Sequence, residues 1–342
     1  GEKCEMKKSN RNTFRIFILG IILIISIIIS FRLGRYPINT KELFGILLSK
    51  IFPIEPFWDK QLEIVLFNIR LPRIFLAGLV GCCLSTAGAA YQGVFQNPMA
   101  APDILGASSG AAFGAAFAIL NNGSHYMITL SAFFFSLLTV VIVYLISKKA
   151  KGNTILGLIL SGIMVSSLFS AGTSFIKLVA DPTDQLPAIT YWLMGSLSGA
   201  KKSEVLFALV PMIIGLVPLL LLRWRMNILT LGDDESKTMG VNSKQVRLII
   251  IIASTLITSA SVSVSGMIGW VGLVIPHLAR KIVGNNYIYL IPATMLSGAI
   301  FLLLVDNVSR NLFTTEIPLG ILTAIIGAPF FIYLITRKEE NE

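Results

Sequence analysis

The ionisable residues of this chain fall into a few short groups, and none has the spacing of an enzyme's active site. His125 and His277 are far apart and belong to no metal-ligand pattern. Cys82 and Cys83 are neighbours in an apolar stretch, so on a helix they point in different directions and make poor disulfide partners; Cys4 lies in the polar N-terminal segment. No Gly-x-x-x-x-Gly-Lys-Ser/Thr string is present to cradle a nucleotide phosphate, and there is no nucleophile elbow or catalytic carboxylate pair. What remains is charge that could dock on something. Arg70-Leu71-Pro72-Arg73 puts two guanidinium groups on one side of a helix start, where Pro72 costs no hydrogen bond. They suit either lipid phosphates or the acidic side chains of a partner. Asp233-Asp234-Glu235 stands between Gly232 and Gly240 in a polar excursion over residues 227–240, flanked by Arg223, Arg225, Lys244 and Arg247. Acidic residues suit the start of a short helix, and the glycines allow a turn at either end. Such an excursion is either a docking surface or a solvated connection.

The elements that position these groups are set by the solvent. Of 342 residues, 54% are hydrophobic and only 13% charged, against about 25% charged in a soluble domain. A chain this apolar cannot cover its surface with polar groups, so it belongs in a bilayer. The net charge of +10 does not point to nucleic acid, which needs a contiguous basic face. The Lys and Arg cluster at the ends of apolar segments instead, as the positive-inside rule describes.

A crossing helix needs about 20 residues. The apolar run after Arg15 has no small-residue cleavage site and is expected to be retained as the first span, over 16–31. One span lies within 74–102, ending at Gln92-Gly93, and others lie near 104–120, 126–147, 152–176 and 205–222. The stretch 248–279 would make a helix of about 48 Å, too long for one crossing. Ser265-Gly266-Met267-Ile268-Gly269 interrupts it, which predicts two spans, 246–264 and 267–281. Spans over 282–305 and 317–336 bring the total to ten, in one membrane domain over residues 1–342. Both termini then share a side, with 1–15 as a cytoplasmic tail and 223–245 as a cytoplasmic loop. That arrangement places 17 of the 28 Lys and Arg inside; seven of the others fall between Arg32 and Arg73, on the outer side. Segments 72–180 and 246–336 each hold four spans, as an internal repeat would.

Tyr91-Gln92-Gly93-Val94-Phe95-Gln96-Asn97-Pro98-Met99-Ala100-Ala101-Pro102-Asp103-Ile104-Leu105-Gly106-Ala107-Ser108-Ser109-Gly110 carries two prolines and many small residues. It predicts irregular backbone, tolerated at membrane depth only against protein or a water-filled path. This ordered string resembles the turn between the second and third helices of the FecCD-type permeases, the iron-siderophore, haem and vitamin B12 family. The resemblance runs through most of the chain. It includes Arg70-Leu71-Pro72-Arg73, Tyr191-Trp192-Leu193-Met194-Gly195, Met226-Asn227 with Leu231-Gly232, Gly272-Leu273-Val274-Ile275-Pro276-His277, Asp306 with Arg310, and Glu316-Ile317-Pro318-Leu319-Gly320.

The resemblance implies an all-α polytopic membrane protein of about ten transmembrane helices, a type II ABC importer permease similar to the vitamin B12 permease. It implies a second permease subunit (an identical copy or close paralogue), two cytoplasmic ATPases and an extracytoplasmic substrate-binding protein, in a prokaryotic cell membrane. ATP and Mg would sit on the ATPases, with no cofactor on this chain and no enzymatic activity of its own. Arg70, Arg73 and Arg310 match arginines that meet glutamates of the binding protein. Leu231, Gly232, Asp233, Met239 and Gly240 match the loop on which the ATPase pushes. Gln92, Asn97, Pro98 and Met99, with Thr154, Ile155 and Leu156, match the path and its cytoplasmic gate, although Asn153-Thr154-Ile155-Leu156-Gly157 departs from the Ser/Thr-rich string of the B12 permease. Small residues of the fifth span, among them Gly162, Ser166, Ser167, Ser170 and Ser174, permit close helix packing and also suit a weakly binding path. The expected cargo is a ferric siderophore, with haem or cobalamin as alternatives; a membrane receptor that moves nothing is the non-transport alternative.

Overall fold

The computed structural model describes residues 2–34, 36, 38–53, 55–149 and 154–336, leaving aside the side chains of residues 2–8, 154, 233, 234, 334 and 335. In lipid every backbone N–H and C=O must find its partner within the protein, so long apolar runs fold as helices. The described residues form helices and no strand. Helix α1 (Glu2–Arg32) is followed by the short α2 (Thr40–Leu48) and α3 (Lys60–Ile64). A π-helical turn over Val65–Arg70 carries α3 into α4 (Leu71–Val94). Then come α5 (Ala107–Leu120), α6 (His125–Lys149), α7 (Thr154–Val179), α8 (Gln185–Met194) and α9 (Lys202–Leu221). Two short helices, α10 (Arg223–Leu229) and α11 (Asp233–Thr238), precede α12 (Ser243–Ser265), α13 (Val271–Val283), α14 (Tyr287–Asn311) and α15 (Leu319–Thr336). Among the described residues, seven helices are long and apolar enough to cross a bilayer: α1, the continuous α3–α4 rod, α6, α7, α9, α12 and α14. The shorter α5, α13 and α15 occupy the other three predicted spans. The chain is an all-α, multi-pass membrane protein.

The structure departs from the sequence reading in three places. The first helix begins at Glu2 rather than near residue 16, because no Pro or Gly interrupts residues 2–15. The second span likewise starts early, at Lys60, where Asp59 caps the helix by accepting from the Gln61 N–H at 3.0 Å. Helix α8, with 10 residues, is too short to cross and was not predicted. The break expected in 248–279 is present. Helix α12 ends at Gly266, whose φ of +67° favours glycine and whose missing side chain leaves room for the Trp192 carbonyl oxygen, 2.3 Å from where a Cβ would stand.

Helix α4 is the axis of the bundle, buried along nearly its whole length and packed on α9, α12, α13 and α14. Small residues let these backbones touch. A Cβ on Gly88 would fall 1.8 Å from the Gly272 carbonyl oxygen of α13, which fits close helix approach in lipid, where packing replaces the hydrophobic effect. Buried hydroxyls pair across the same core: Tyr91 with Thr255 at 3.0 Å, and Ser136 with Ser259 at 2.7 Å. Helix α7 is different. It packs mainly on α5 and α6, and leaves Leu156, Ile163, Met164, Leu168, Phe175 and Leu178 exposed. Helix α15 leaves Ile321, Ile325 and Ile332 exposed. The loops divide between two ends of the bundle, one carrying α11 and the other α2.

Candidate functional site

At the α11 end, the segment after α4 folds as a compact turn. Asn97 accepts the Met99 N–H at 2.9 Å and Asp103 accepts the Ser108 N–H at 2.8 Å, the latter fastening the start of α5. Gln96 takes a positive φ of 49°, an unusual conformation for a residue with a Cβ. That backbone aims its side chain at α10, where its amide donates to the Leu229 carbonyl at 2.9 Å. Gln92 is buried, and its carbonyl oxygen accepts from Arg280 of α13 at 2.5 Å. Met99 is exposed. The turn also rests on α7: a Cβ on Gly162 would stand 2.4 Å from the Ile104 carbonyl oxygen. Gln92, Asn97, Pro98 and Met99 are thus brought together. Thr154–Leu156 form the first turn of α7, with Leu156 exposed and Ile155 packed on the core; the Thr154 side chain and residues 150–153 lie outside the described residues.

The segment expected to meet an ATPase continues from α10. Asn227 holds α10 to the start of α14 by accepting the Tyr287 N–H at 2.8 Å and donating to Asn286 at 2.9 Å. The short helix expected between the two glycines is α11, and Gly232 and Gly240 have φ of +119° and +74°. Ser236 is fully buried and donates to the Ile228 carbonyl at 3.0 Å, which pins α11 back onto α10. Leu231 and Met239 point away from the protein, 58% and 55% exposed. The side chains of Asp233 and Asp234 lie outside the described residues.

At the α2 end the three arginines are buried rather than displayed. Arg73 pairs with Asp306 at 2.9 Å and with Glu316 at 2.9 Å, and Arg310 meets the other oxygen of Asp306 at 3.1 Å. Asp306 is completely buried. Arg70 donates to the carbonyls of Phe31 and Tyr36 and has no ion-pair partner among the described residues. Docking charges offered freely to a partner do not match this geometry for Arg73 and Arg310, whose charge is already met inside the subunit. The Asp306–Arg310 spacing of four residues signals part of the cluster; nothing in the sequence brings Arg73 or Glu316 to it.

The same end holds a cavity of about 540 Å³ between α6, α8, α9 and α12, lined by Tyr191, Trp192, Ser196, Ser198 and Glu204 among others. His125, expected as a loop residue, opens α6 and pairs through Nε2 with Glu204 of α9. Glu204 also accepts the Lys201 N–H at 3.2 Å, which caps α9. The α8–α9 connection ties other elements together: Gly195 accepts the Leu319 N–H of α15 at 2.8 Å, and Ser196 donates its N–H to Ser265 at 2.7 Å. Between α7 and α8, hydrogen bonds from the Thr183 hydroxyl and then from backbone N–H groups hold the Asp181 carboxyl below its usual range.

The uncovered face of α7 carries a polar stripe. Ser167, Ser170 and Ser174 are exposed there, and the first and last bond back to carbonyls of their own helix at 2.9 and 3.0 Å.

A family model described as the FecCD transport family matches residues 22–337. A molybdate import system permease protein of Haemophilus influenzae is 42% identical over 330 residues, covering 96% of this chain and 97% of that protein. A probable iron chelatin transport system permease protein of Helicobacter pylori is 42% identical over 277 residues, covering 81% of this chain and 84% of that protein. A solved structure described as an inward-facing conformation of a metal-chelate type ABC transporter superposes with a TM-score of 0.85 at 40% identity, covering 94% of this chain and 99% of that one.

Proposed function

This chain belongs to the FecCD transport family as an ABC importer permease, and from that premise we propose that it carries an iron chelate, a ferric siderophore first, into the cytoplasm. The observation that supports a transport mechanism best is the link from Gln96 to Leu229. It joins the turn between α4 and α5 to the segment that ends in the exposed Leu231 and Met239. In this reading two ATPase subunits, which hold ATP and Mg, seat on α11 at the cytoplasmic end. A second permease subunit, identical or closely related, covers the open faces of α7 and α15. The path then runs between the two copies past the serine stripe of α7, and closes near Met99 and Leu156. Both termini lie in the cytoplasm of a prokaryotic cell.

An extracytoplasmic binding protein docks at the α2 end. Arg70 is the first candidate for its carboxylates, since no acidic side chain pairs with it among the described residues. Arg73 and Arg310 contribute by holding Glu316 and the start of α15 in place, and reach a partner only by sharing Asp306.

A second cargo reading is an oxyanion. It is favoured by the 42% identity, along nearly the whole chain, to a permease named for molybdate import. Haem and cobalamin are the further alternatives on the same scaffold. The deciding experiment reconstitutes the permease with its ATPase and binding protein in vesicles and compares ATP-dependent uptake of radiolabelled iron chelate and molybdate. Uptake of molybdate alone would replace the chelate reading; uptake of neither, with ATPase activity intact, would remove both.

A further inference from the structure

The cavity of about 540 Å³ behind α8 takes no part in the transport steps proposed above. Its volume lies in the range of small-ligand sites, roughly 300–1,000 Å³. The permanent charges that line it are of one sign. Asp184, at the start of α8, and Glu204, near the start of α9, are carboxylates, and no Lys or Arg lines the cavity. That is the reverse of the chain as a whole, which has 28 Lys and Arg against 18 Asp and Glu. Lys201 lines only a small recess of about 110 Å³ that shares His125 and Glu204 with the cavity. His125 alone can carry positive charge in the cavity wall, and only when protonated.

Both carboxylates have acceptor positions to spare. Glu204 is 8% exposed. One of its oxygens meets His125 Nε2, and the other accepts the Lys201 N–H at 3.2 Å. An ionised carboxylate offers about four acceptor positions, so Glu204 can take further donors, and a buried charge gains most from complete pairing. The Asp184 carboxylate makes no hydrogen bond or ion pair among the described residues. Tyr191 and Trp192 add two aromatic rings to the wall, and ring faces attract ammonium and guanidinium groups. An oxyanion would meet the wrong sign of charge. We propose that this cavity binds an organic cation through its ammonium or guanidinium group, with Glu204 and Asp184 as counter-charges and Tyr191 and Trp192 as the aromatic wall. The group arrives on a free small molecule or on a Lys or Arg side chain of the extracytoplasmic partner. Its seat reaches further than the cavity. The chain leaving α8 is bonded to two other helices, since the Gly195 carbonyl accepts the Leu319 N–H of α15 at 2.8 Å and Ser196 donates its N–H to Ser265 of α12 at 2.7 Å. A cation behind α8 braces the element to which the start of α15 is tied.

The test uses the full chain in mild detergent, without ATPase or binding protein, so it does not depend on the transport reading. Isothermal titration calorimetry compares butylguanidinium with its neutral isostere butylurea. Butylguanidinium is expected to bind about tenfold more tightly, the scale of a hydrogen bond to a charged group. Glu204→Gln keeps an acceptor for the Lys201 N–H and removes that preference. Ala188→Trp, from an exposed position in the cavity wall, fills the space and abolishes binding, and it serves should Glu204→Gln fail to purify. Equal binding of the two compounds by the native chain overturns the site, and so does a preference retained by either folded variant. Binding-protein affinity then identifies the source of the cation. Weakening by butylguanidinium in the native chain but not in Glu204→Gln assigns the group to a side chain of the partner. Unchanged affinity assigns it to a free molecule.

Discussion

Gln96 donates its side-chain amide to the backbone carbonyl of Leu229 at 2.9 Å, across 133 residues of chain. Two residues beyond Leu229, Leu231 faces out of the protein; three beyond Gln96, so does Met99. In the proposed mechanism, displacement of α10 by a partner at Leu231 would reach the α4–α5 turn through this bond and the packing around it. Gln96→Leu keeps the bulk and removes the donor. A neutral hydrogen bond contributes about 1 kcal/mol net, so the variant should stay folded while cargo moved per ATP hydrolysed falls by roughly fivefold. Parallel uptake and hydrolysis assays on reconstituted vesicles measure that ratio. An unchanged ratio would show that the turn responds to α10 by packing alone.

Leu231 and Met239 stand at the two ends of α11, next to the glycines whose positive φ turns the chain there. Ser236 holds the helix down from its buried side, so the exposed apolar pair is available to a partner without local unfolding. Leu231→Glu and Met239→Glu should leave membrane insertion and thermal stability unchanged. Each should abolish the stimulation of ATP hydrolysis by loaded binding protein. Wild-type stimulation in both variants would place the ATPase contact elsewhere.

The arginine cluster lets a scaffold role be told apart from the proposed docking role. Removing one member of a buried ion pair leaves the others uncompensated, a loss of about 3–5 kcal/mol. Asp306→Asn and Arg73→Gln should therefore lower the unfolding temperature of the detergent-solubilised chain markedly, before any partner is added. Arg70→Gln, which breaks only bonds to two carbonyls, should lower it less and weaken binding-protein affinity more. The reverse order, with Arg73 variants stable but unable to dock, would return Arg73 to the role of a displayed charge.

The sequence announced those features whose cause is local. Gly266 ends α12 where Ser265-Gly266-Met267-Ile268-Gly269 interrupts an apolar run, and Gly232 and Gly240 bracket α11. It was silent where the cause lies far along the chain. Arg73 and Glu316 are 243 residues apart, and His125 finds Glu204 only when α6 and α9 stand side by side. Lys60 and Glu63 put charge at the start of the α3–α4 rod. The structure accommodates it because Lys50 pairs with Glu63 outside the bundle, at 2.6 Å. Helix α8 escaped a reading based on length, since its 10 residues cannot cross a bilayer and polar loops flank it. The recurrent signal behind the missed contacts was a charged residue in an otherwise apolar setting, which in lipid demands a partner.

Orientation supplies the last prediction. Ser124, in the turn between α5 and α6, and Thr238, at the end of α11, are both exposed and lie at opposite ends of the bundle. By the sequence reading, 17 of the 28 Lys and Arg fall in the segments on the same side as the α11 loop, the side that the positive-inside rule assigns to the cytoplasm. Single cysteines at these two positions, in a chain lacking Cys4, Cys82 and Cys83, should react differently with a thiol reagent that cannot cross the membrane. In intact cells only the Ser124→Cys variant should label, and the Thr238→Cys variant should label only after the membrane is opened. Labelling of Thr238→Cys in intact cells would invert the chain. The α11 helix would then face away from any cytoplasmic ATPase, and the link from Gln96 to Leu229 would lose its proposed source of motion.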